Sequence, residues 1–509
     1  MPEKDIYPIE ATNKKEDVNV SNSIFGNRFH KDQTVYEYLI EFLLIFVSAK
    51  ISKESDEGKF SFHNSDLTEM SFYADPRIGL KRFIFYDKSK KSGSIYADKV
   101  AFNDLIEQLS KRITIESYGN DEKKDIINYL QDFLFGYAVI LKNRSWCAQA
   151  MLPICPELIF CEAMPAEKHR KAKVDYDSTP ESVDTEFDFK QHNFLARGGE
   201  LYYLHLVQGL KNNSEKKKKL EFLLKDLLTA QSEKVSSIAN FIQNTWYSVL
   251  NTDEKQLREE YSLGFIPNNG YVNVEGFSID ELLNFLSNKL PIVRKLDLLS
   301  QGIILQIMRM MTERVSNYLG INKKPWIVDM CCPGNKIVKI MSCNSFQEIE
   351  NDFTTALNKE IEKRSNKNEA EKYSILLEGK KESLGIFRSK GKDIKCIIPI
   401  KGGFERFSLS EDIVTFLVLS ILKPKTQMTL DMFLSHIYEN YGIVIGINEY
   451  IKSAKQSTED IKSISISFNR NVAAFENFLK ATGFLQELSD ATSVVINPYE
   501  EITFTEEQI

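Results

Sequence analysis

The chain has 509 residues and a formal net charge of −7 at pH 7, with 42% hydrophobic and 27% charged residues. These values are typical of a folded soluble protein, and the acidic balance excludes a protein that coats nucleic acid with its whole surface. The seven cysteines are too few for a disulfide scaffold, and their number is odd, which favours the reducing cytoplasm. At roughly 150 residues per domain, the length predicts about three domains.

The N-terminal residues predict neither a secretion signal nor a membrane anchor. Residues 1–28 lack apolar periodicity, so we expect a flexible arm. The longest apolar run, 38–49, is shorter than the roughly 20 residues of a bilayer span and contains a glutamate. Thr34 and Glu37 have the spacing of a capping box, which predicts that a buried helix begins at Val35.

Residues 29–161 predict an N-terminal α+β domain. Short aromatic runs between residues 59 and 97, such as 83–86, lie beside Asp-Pro and Ser-Gly pairs, a pattern that indicates strands and hairpins. Two helices are predicted near 98–112 and 121–142. The spacing of Cys147, Cys155 and Cys161 does not match a zinc knuckle, so no metal site is predicted.

Residues 162–193 predict a charged loop or linker, because a basic cluster is followed by an acidic run. The basic residues that could contact a partner or DNA are Lys168, Arg170 and Lys171. Farther along, Asp184, Asp188 and Lys190 are arranged like the carboxylates and lysine of metal-dependent nucleases, which hold Mg²⁺ and orient the attacking water. A solvated acidic loop explains the same residues, so a nuclease is the second alternative.

Residues 194–322 predict a helical domain. Leucines spaced along 220–228 mark one face of a helix, and Ser278 with Glu281 predicts the start of another. The longest helix is predicted over 296–319 and ends at Gly320. Arg197 precedes two glycines and could anchor an anionic group or pair across an interface.

Residues 323–404 predict a small α+β segment. Apolar runs at 326–328 and 337–340 flank a Pro-Gly turn, which indicates a β-hairpin. Further predicted elements are a helix opened by Ser345 and Glu348 and short strands near 373–377 and 395–399.

Residues 405–500 carry the most specific pattern in the chain, since three predicted helices precede two short strands. Its parts are a helix over 413–422 capped by Ser408 and Glu411, a second helix opened by Thr429, a third helix over 472–482 closed by Gly483, and strands at 484–485 and 493–496 around a turn at 489–491. This order resembles the winged-helix family, whose third helix commonly docks on DNA or protein. Residues 501–509 form an acidic tail.

The resemblance implies an outward face of the third helix that contacts DNA or a partner protein. The residues expected on that face are Asn469, Arg470, Asn471, Glu476, Asn477 and Lys480. Residues 410–499 contain ten Asp or Glu and seven Lys or Arg. Because phosphate binding requires surplus cations, this balance favours protein docking over DNA binding.

The predicted fold class is therefore α+β, helix-dominated and multi-lobed, with a C-terminal winged-helix domain. No nucleotide loop, metal set or nucleophile arrangement predicts a cofactor or a catalytic residue. As a whole, the chain resembles helper subunits that accompany ATPases and nucleases in bacterial anti-phage defence. That resemblance implies a non-enzymatic cytoplasmic adaptor in an oligomer or hetero-complex, with an ATPase, helicase or nuclease as partner and no membrane contact. The first alternative is a DNA-binding winged-helix protein.

Overall fold

The protein is described here by a computed structural model. The residues that the structure describes are 6–11, 19–26, 33–75, 77–85, 96–115, 118–136, 138–139, 150–151, 154–159, 198–230, 233–249, 253–364, 367–454, 461–487 and 493–503. Within these ranges, no helix combines the length and the apolar character that a bilayer span requires.

Helices dominate the described chain. In chain order they are α1 Val20–Phe25, α2 Val35–Val47, α3 Ile78–Phe85, α4 Tyr96–Arg112, α5 Asn120–Phe135, α6 Gly198–Gly209, α7 Ser214–Thr229, α8 Glu233–Val249, α9 Glu254–Leu257, α10 Val272–Ser287, α11 Ile292–Leu319, α12 Lys336–Glu362, α13 Glu369–Glu382, α14 Leu384–Asp393, α15 Glu411–Ile421, α16 Leu430–Tyr441, α17 Ile447–Ala454 and α18 Ile461–Ala481. The prediction of a helix-dominated α+β protein is thereby confirmed.

The β-strands are short and form small separate sheets. They are β1 Ile6–Tyr7, β2 Ser71–Ala74, β3 Ala138–Val139, β4 Ala150–Met151, β5 Glu259–Ser262, β6 Ile266–Pro267, β7 Trp326–Ile327, β8 Ile397–Ile398, β9 Arg406–Phe407, β10 Gln427–Thr429, β11 Ile443–Val444, β12 Leu485–Glu487 and β13 Ser493–Ile496. The pairs β1–β6, β2–β5, β3–β4 and β8–β9 are antiparallel, β7–β11 is parallel, and β10, β13 and β12 form a three-stranded sheet in that order.

One hydrophobic core joins most of the helices. It contains residues from Tyr7 to Val495 and crosses the positions predicted as boundaries, 322 and 404. The helix α2 is buried on most sides, and the predicted capping box of Thr34 and Glu37 is confirmed. Helix α6 crosses α2 closely at Gly199, where an added Cβ would collide with the carbonyl oxygen of Tyr38. The paired glycines therefore serve helix packing.

The long helix α11 passes through this core. It begins at Ile292 and ends before Gly320, whose φ of 70° is the left-handed conformation that closes many helices. Its contacts include α2, α10, α12, α14 and α15. The prediction of a long helix that ends at Gly320 is confirmed, although the helix begins before the predicted residue 296.

A second hydrophobic cluster lies among α3, α4, α5 and α8. Leu80, Phe83 and Ile84 lie on one face of α3, at positions i, i+3 and i+4, and are fully buried. The prediction of strands and hairpins across 59–97 is therefore wrong for residues 78–85. Local aromatic content suggested strands, but helical spacing of the buried residues decides the structure. Of the described residues in that region, 71–74 form a strand.

The predicted β-hairpin at 326–340 is also wrong. Trp326 and Ile327 form β7, which pairs in parallel with the distant β11. Residues 337–340 instead lie in α12, where Val338 is buried while Ile337 and Ile340 are exposed. The Pro-Gly turn thus leads into a helix.

Three further local predictions fail because the residues lie inside helices. Ser278 is in the interior of α10, where its hydroxyl donates to the carbonyl oxygen of Val274. Ser345 is in the interior of α12 and donates to the carbonyl oxygen of Pro325 at 2.6 Å. The predicted strand at 373–377 is part of α13. A serine followed by a glutamate three residues later does not fix a helix start unless the backbone also turns there.

The N-terminal arm is partly ordered. Val20, Ile24 and Phe25 of α1 are buried in the main core, and Tyr271 donates its hydroxyl to the carbonyl oxygen of Phe25 at 2.8 Å. The expectation of a flexible arm is therefore wrong for residues 20–25. Apolar residues in so short a segment give no periodic signal, yet they become buried once α12 and α13 provide a surface for them.

Candidate interaction surface of the C-terminal module

The C-terminal elements surround a three-stranded sheet. Residue Met428 of β10 pairs with Val495 of β13, and Leu485 of β12 pairs with the same valine from the other side. Thr429 caps α16 as predicted, accepting from the amide of Met432. The cap of α15 is Ser410 rather than the predicted Ser408, so that capping box is wrong while its helix is confirmed.

The helix α18 presents two unlike faces. Its inner face buries Phe468, Phe475 and Leu479 completely. Its outer face exposes Ile466, Asn469, Arg470, Asn477 and Lys480. The helix begins at Ile461, well before the predicted residue 472, and ends as predicted before Gly483.

Asn471 lies on the inner face, so its predicted place on the outer face is wrong. It is fully buried, and its Nδ2 donates to the carbonyl oxygens of Val328 at 2.9 Å and Ile445 at 3.0 Å. Its Oδ1 accepts from the amide of Met330 at 2.9 Å. Asn471 follows Phe468 by three residues, so both side chains lie on the inner face of the helix. It therefore fastens α18 to the ends of β7 and β11.

The charges on the outer face of α18 nearly cancel. Lys480 pairs with the exposed Glu487 of β12, with 3.0 Å between Nζ and Oε1. Glu476 accepts from the hydroxyl of Ser493 at 2.7 Å. Arg470 forms no ion pair with any residue in the described part of the chain. Among its described residues, this face therefore carries exposed amide side chains, the exposed Ile466 and one cation without an ion pair, Arg470.

A buried charge cluster anchors this module to the helical region. Arg309 of α11 donates to both carboxylate oxygens of Glu281 on α10, over 3.1 Å and 3.0 Å. Tyr441, at the end of α16, donates its hydroxyl to the same carboxylate at 2.8 Å. The guanidinium carbon of Arg309 lies 4.3 Å from the centre of the Tyr441 ring. Sequence analysis missed this cluster, although its polar residues interrupt otherwise apolar helices.

Burial and pairing set the protonation states in this cluster. Burial alone would lower the pKa of Arg309, but the Glu281 carboxylate outweighs it and raises the pKa above its ordinary value. Burial, followed by the charge of Glu281, raises the pKa of Tyr441 well above its ordinary value. Burial, followed by the charge of Arg309, lowers the pKa of the neighbouring His205 to about 3. At neutral pH the cluster therefore holds a fixed ion pair, and its role is architectural.

An open cleft of about 390 Å³ lies between the two hydrophobic clusters and includes Lys59, Asp75, Arg77 and Glu157 among its lining residues. Asp75 pairs with Lys59 at 3.1 Å, with Arg77 at 3.3 Å and with Arg258 at 2.5 Å. Burial would raise the pKa of Asp75, but these cations together hold it below its ordinary value. Because the charges compensate one another, the cleft has the character of a structural ion-pair network.

The described cysteines are five in number, and none is in a disulfide. Cys155 is buried, and burial raises its thiol pKa to about 12, which suits a small hydrophobic side chain. Among the described residues, no group of three or more His, Cys, Asp or Glu side chains is arranged to hold a metal ion. Cys147 and Cys161 lie outside the described residues.

Several predicted site residues also lie outside the described ranges. They are the nuclease candidates Asp184, Asp188 and Lys190, the basic residues Lys168, Arg170 and Lys171, and Arg197. The structure brings together Asn469, Arg470, Asn477 and Lys480 on one helix face and removes Asn471 from it.

Comparison of the chain with protein-family models, with curated proteins and with solved structures finds no match. The functional argument therefore depends on the geometry and chemistry of these surfaces.

Proposed function

We propose that this chain is a non-enzymatic adaptor subunit of a cytoplasmic bacterial complex that acts on DNA in defence against phage. In this proposal, the C-terminal region is a winged-helix module that docks a partner ATPase, helicase or nuclease. The observation that carries the proposal is the outer face of α18, which is exposed, polar and close to neutral around Ile466.

The order of elements supports the winged-helix assignment. Helices α15, α16 and α18 precede the antiparallel pair β12–β13, and β10 joins that pair from a position just before α16. Two features differ from the pattern predicted from the sequence. Helix α17 lies between α16 and the third helix, and the third helix begins at Ile461 instead of residue 472. Both additions enlarge the module beside α18 without changing the order of the other elements.

The surface chemistry supports docking on protein. Protein interfaces combine a few exposed apolar residues with a polar, hydrogen-bonding rim. Ile466, which is 60% exposed, provides the apolar contact, and Asn469 and Asn477 provide neutral donors and acceptors. Lys480 is compensated by Glu487, so it adds little to phosphate attraction.

One observation favours the alternative of DNA binding. Arg470 is exposed and forms no ion pair within the described ranges, so it is free to contact a phosphate. A single such cation supplies a small part of the phosphate contacts that DNA-binding proteins use. The adaptor proposal is therefore preferred.

The test is partner retention by a variant of the outer face. The full chain, tagged at its native locus in its own host, is purified as wild type, as Ile466→Lys and as Ile51→Lys. Ile51 is a matched control because it is also an exposed isoleucine, at 66%, and lies far from α18 in the sequence. Composition and mass are read by size-exclusion chromatography with light scattering.

We expect a second chain at fixed stoichiometry with the wild type and with Ile51→Lys. A lysine at an interface centre should weaken the complex by more than about tenfold in Ile466→Lys, because it places an unpaired charge in an apolar contact. A monomeric wild type, or equal retention by both variants, would contradict the proposal.

A further inference from the structure

The hairpin formed by β8 and β9 carries an unusually exposed tip. The strands pair Ile397 with Phe407, and the connecting residues 399–405 project from the segment between α14 and α15. At this tip, Phe404 is 81% exposed and Ile400 is 57% exposed. A large aromatic side chain left in water at a loop tip is a common sign of a binding contact.

The conformation of the tip holds Phe404 outward. Its φ of 61° lies in the left-handed region, which a bulky residue rarely adopts without support. The thiol of Cys343 on α12 lies 3.6 Å from the carbonyl oxygen of Phe404 and donates to it. The tip is therefore fastened to α12 through its backbone, while the aromatic ring remains free.

Both segments that meet at this contact, the hairpin tip and α12, carry lysines. Lys401 belongs to the tip, and Lys336 and Lys339 lie in the first turn of α12. Because Cys343 follows Lys339 by one helical turn, the face of α12 that carries Lys339 adjoins the tip. All three lysines are exposed.

The positive charge of this surface is uncompensated by its own residues. Within the described ranges, none of the three lysines forms an ion pair. The neighbouring carboxylates are already engaged, since Asp329 pairs with Arg406 at 2.7 Å and Glu405 pairs with Lys392 at 2.9 Å. The first turn of α12 contains no acidic residue. A ligand of this surface must therefore bring negative charge together with a flat apolar group.

We propose that the tip of this hairpin and the start of α12 bind single-stranded nucleic acid, with a base stacked on Phe404 and phosphates contacted by Lys339 and Lys401. Unpaired bases supply the flat apolar face, and the backbone supplies the anions, which is the combination that single-strand binding surfaces use. In duplex DNA the base faces are stacked on one another, so the ring of Phe404 has no partner there. This activity goes beyond protein docking by α18 and uses a different surface.

The test uses the purified full chain and a fluorescein-labelled thymidine oligonucleotide of about 20 nucleotides, which is longer than single-strand binding sites of about 4–16 nucleotides. Fluorescence anisotropy gives the affinity from about 50 to about 200 mM salt, the range in which phosphate contacts are most visible. The variants are Phe404→Ala and the double variant Lys339→Ala/Lys401→Ala. The controls are Tyr373→Ala, an exposed aromatic on α13, and Lys218→Ala/Lys234→Ala, which makes the same change in net charge.

We expect Phe404→Ala to weaken binding by about fivefold or more, the effect of losing one stacked base. The double lysine variant should flatten the slope of log affinity against log salt by about 1.4, because each phosphate contact contributes about 0.7 on a single strand. Both controls should bind as the wild type does. A uridine oligoribonucleotide of the same length shows whether the surface distinguishes DNA from RNA.

Two results would overturn the proposal. The first is a wild type that does not bind the oligonucleotide at low salt, and the second is a Phe404→Ala variant that binds as tightly as Tyr373→Ala. The Ile466→Lys variant should bind the oligonucleotide normally, so failure here is distinguishable from failure of partner docking. Circular dichroism spectra of the variants should match the wild type, since every substituted side chain is exposed.

Discussion

Polar residues on the helices of this protein occupy two contrasting environments. Around Arg309 and Glu281 they are buried, and each charge is paired with the other. On the outer face of α18, Asn469 and Asn477 are exposed at the surface of the module. The comparison shows that residue type alone does not tell whether a polar side chain stabilises the fold or belongs to an interaction surface. Its burial and its hydrogen-bond or ion-pair partners do.

The largest expected effect comes from breaking the buried pair. Arg309→Met leaves the Glu281 carboxylate uncompensated in the core, which should reduce the free energy of unfolding by about 3–5 kcal/mol. Adding Glu281→Leu should restore a large part of this loss, because the uncompensated charge is then removed while Gln306 still bonds the hydroxyl of Tyr441. Urea denaturation monitored by circular dichroism measures both differences.

The buried pair would lose its assigned role if Arg309→Met cost less than about 1 kcal/mol, the value typical of exposed ion pairs. A double variant less stable than Arg309→Met would likewise contradict the claim that an uncompensated charge causes the loss.

A smaller loss of stability is expected for alanine substitutions in α18, and it should differ between its inner and outer faces. Asn471→Ala removes three hydrogen bonds and leaves two buried carbonyl oxygens and one amide without a partner. We expect a loss of about 2–3 kcal/mol. The exposed Asn477→Ala should stay within about 0.5 kcal/mol of the wild type. Equal losses in the two variants would show that the faces do not differ as described.

The acid stability of the protein tests the buried environment of the charge cluster. In the folded protein the pKa of His205 is about 3, against an ordinary value of 6.5. At this site the unfolded chain therefore binds more protons below pH 6.5, so the contribution of His205 to stability is full above that pH and is lost as the pH decreases toward 3. Burial gives His63 a similarly low pKa, so two histidines contribute.

His205→Gln removes one of these two sites. Between pH 6.5 and pH 5, the variant should lose stability less steeply than the wild type, by a difference in slope that approaches about 1.4 kcal/mol per pH unit near pH 5. Denaturation curves across this range give the two slopes. Identical slopes would mean that His205 can be protonated in the folded state.

Elements that fold from local signals were predictable from the sequence. The capping box before α2, the glycine after α11 and Thr429 before α16 each act within a few residues, and the structure has them as predicted. The local sequence predicts a hairpin for β7, whereas its partner in the structure, β11, lies more than 100 residues later in the chain. Strand pairing between such distant segments produces no recognisable pattern in the sequence near either strand.

The candidate surfaces show the same limit. Helical periodicity predicts the exposed residues of α18 except at Asn471. The three hydrogen-bond partners of Asn471 lie on segments outside the helix. Phe404 had no sequence signal as a site, because its exposure depends on the hairpin and on its contact with Cys343. The sequence alone does not distinguish Arg309 from an exposed helical arginine, because Glu281 and Tyr441 lie on other helices.

The most direct test of the adaptor proposal is partner retention by Arg470→Ala/Lys480→Ala in the natively tagged full chain. The account predicts a complex within about a factor of ten of the wild-type affinity at physiological salt, because exposed charge pairs are worth under about 1 kcal/mol each and Lys480 is already paired with Glu487. Complete loss of the partner would contradict this prediction. Duplex DNA that the wild type retains and the double variant does not would instead assign the outer face of α18 to phosphate binding.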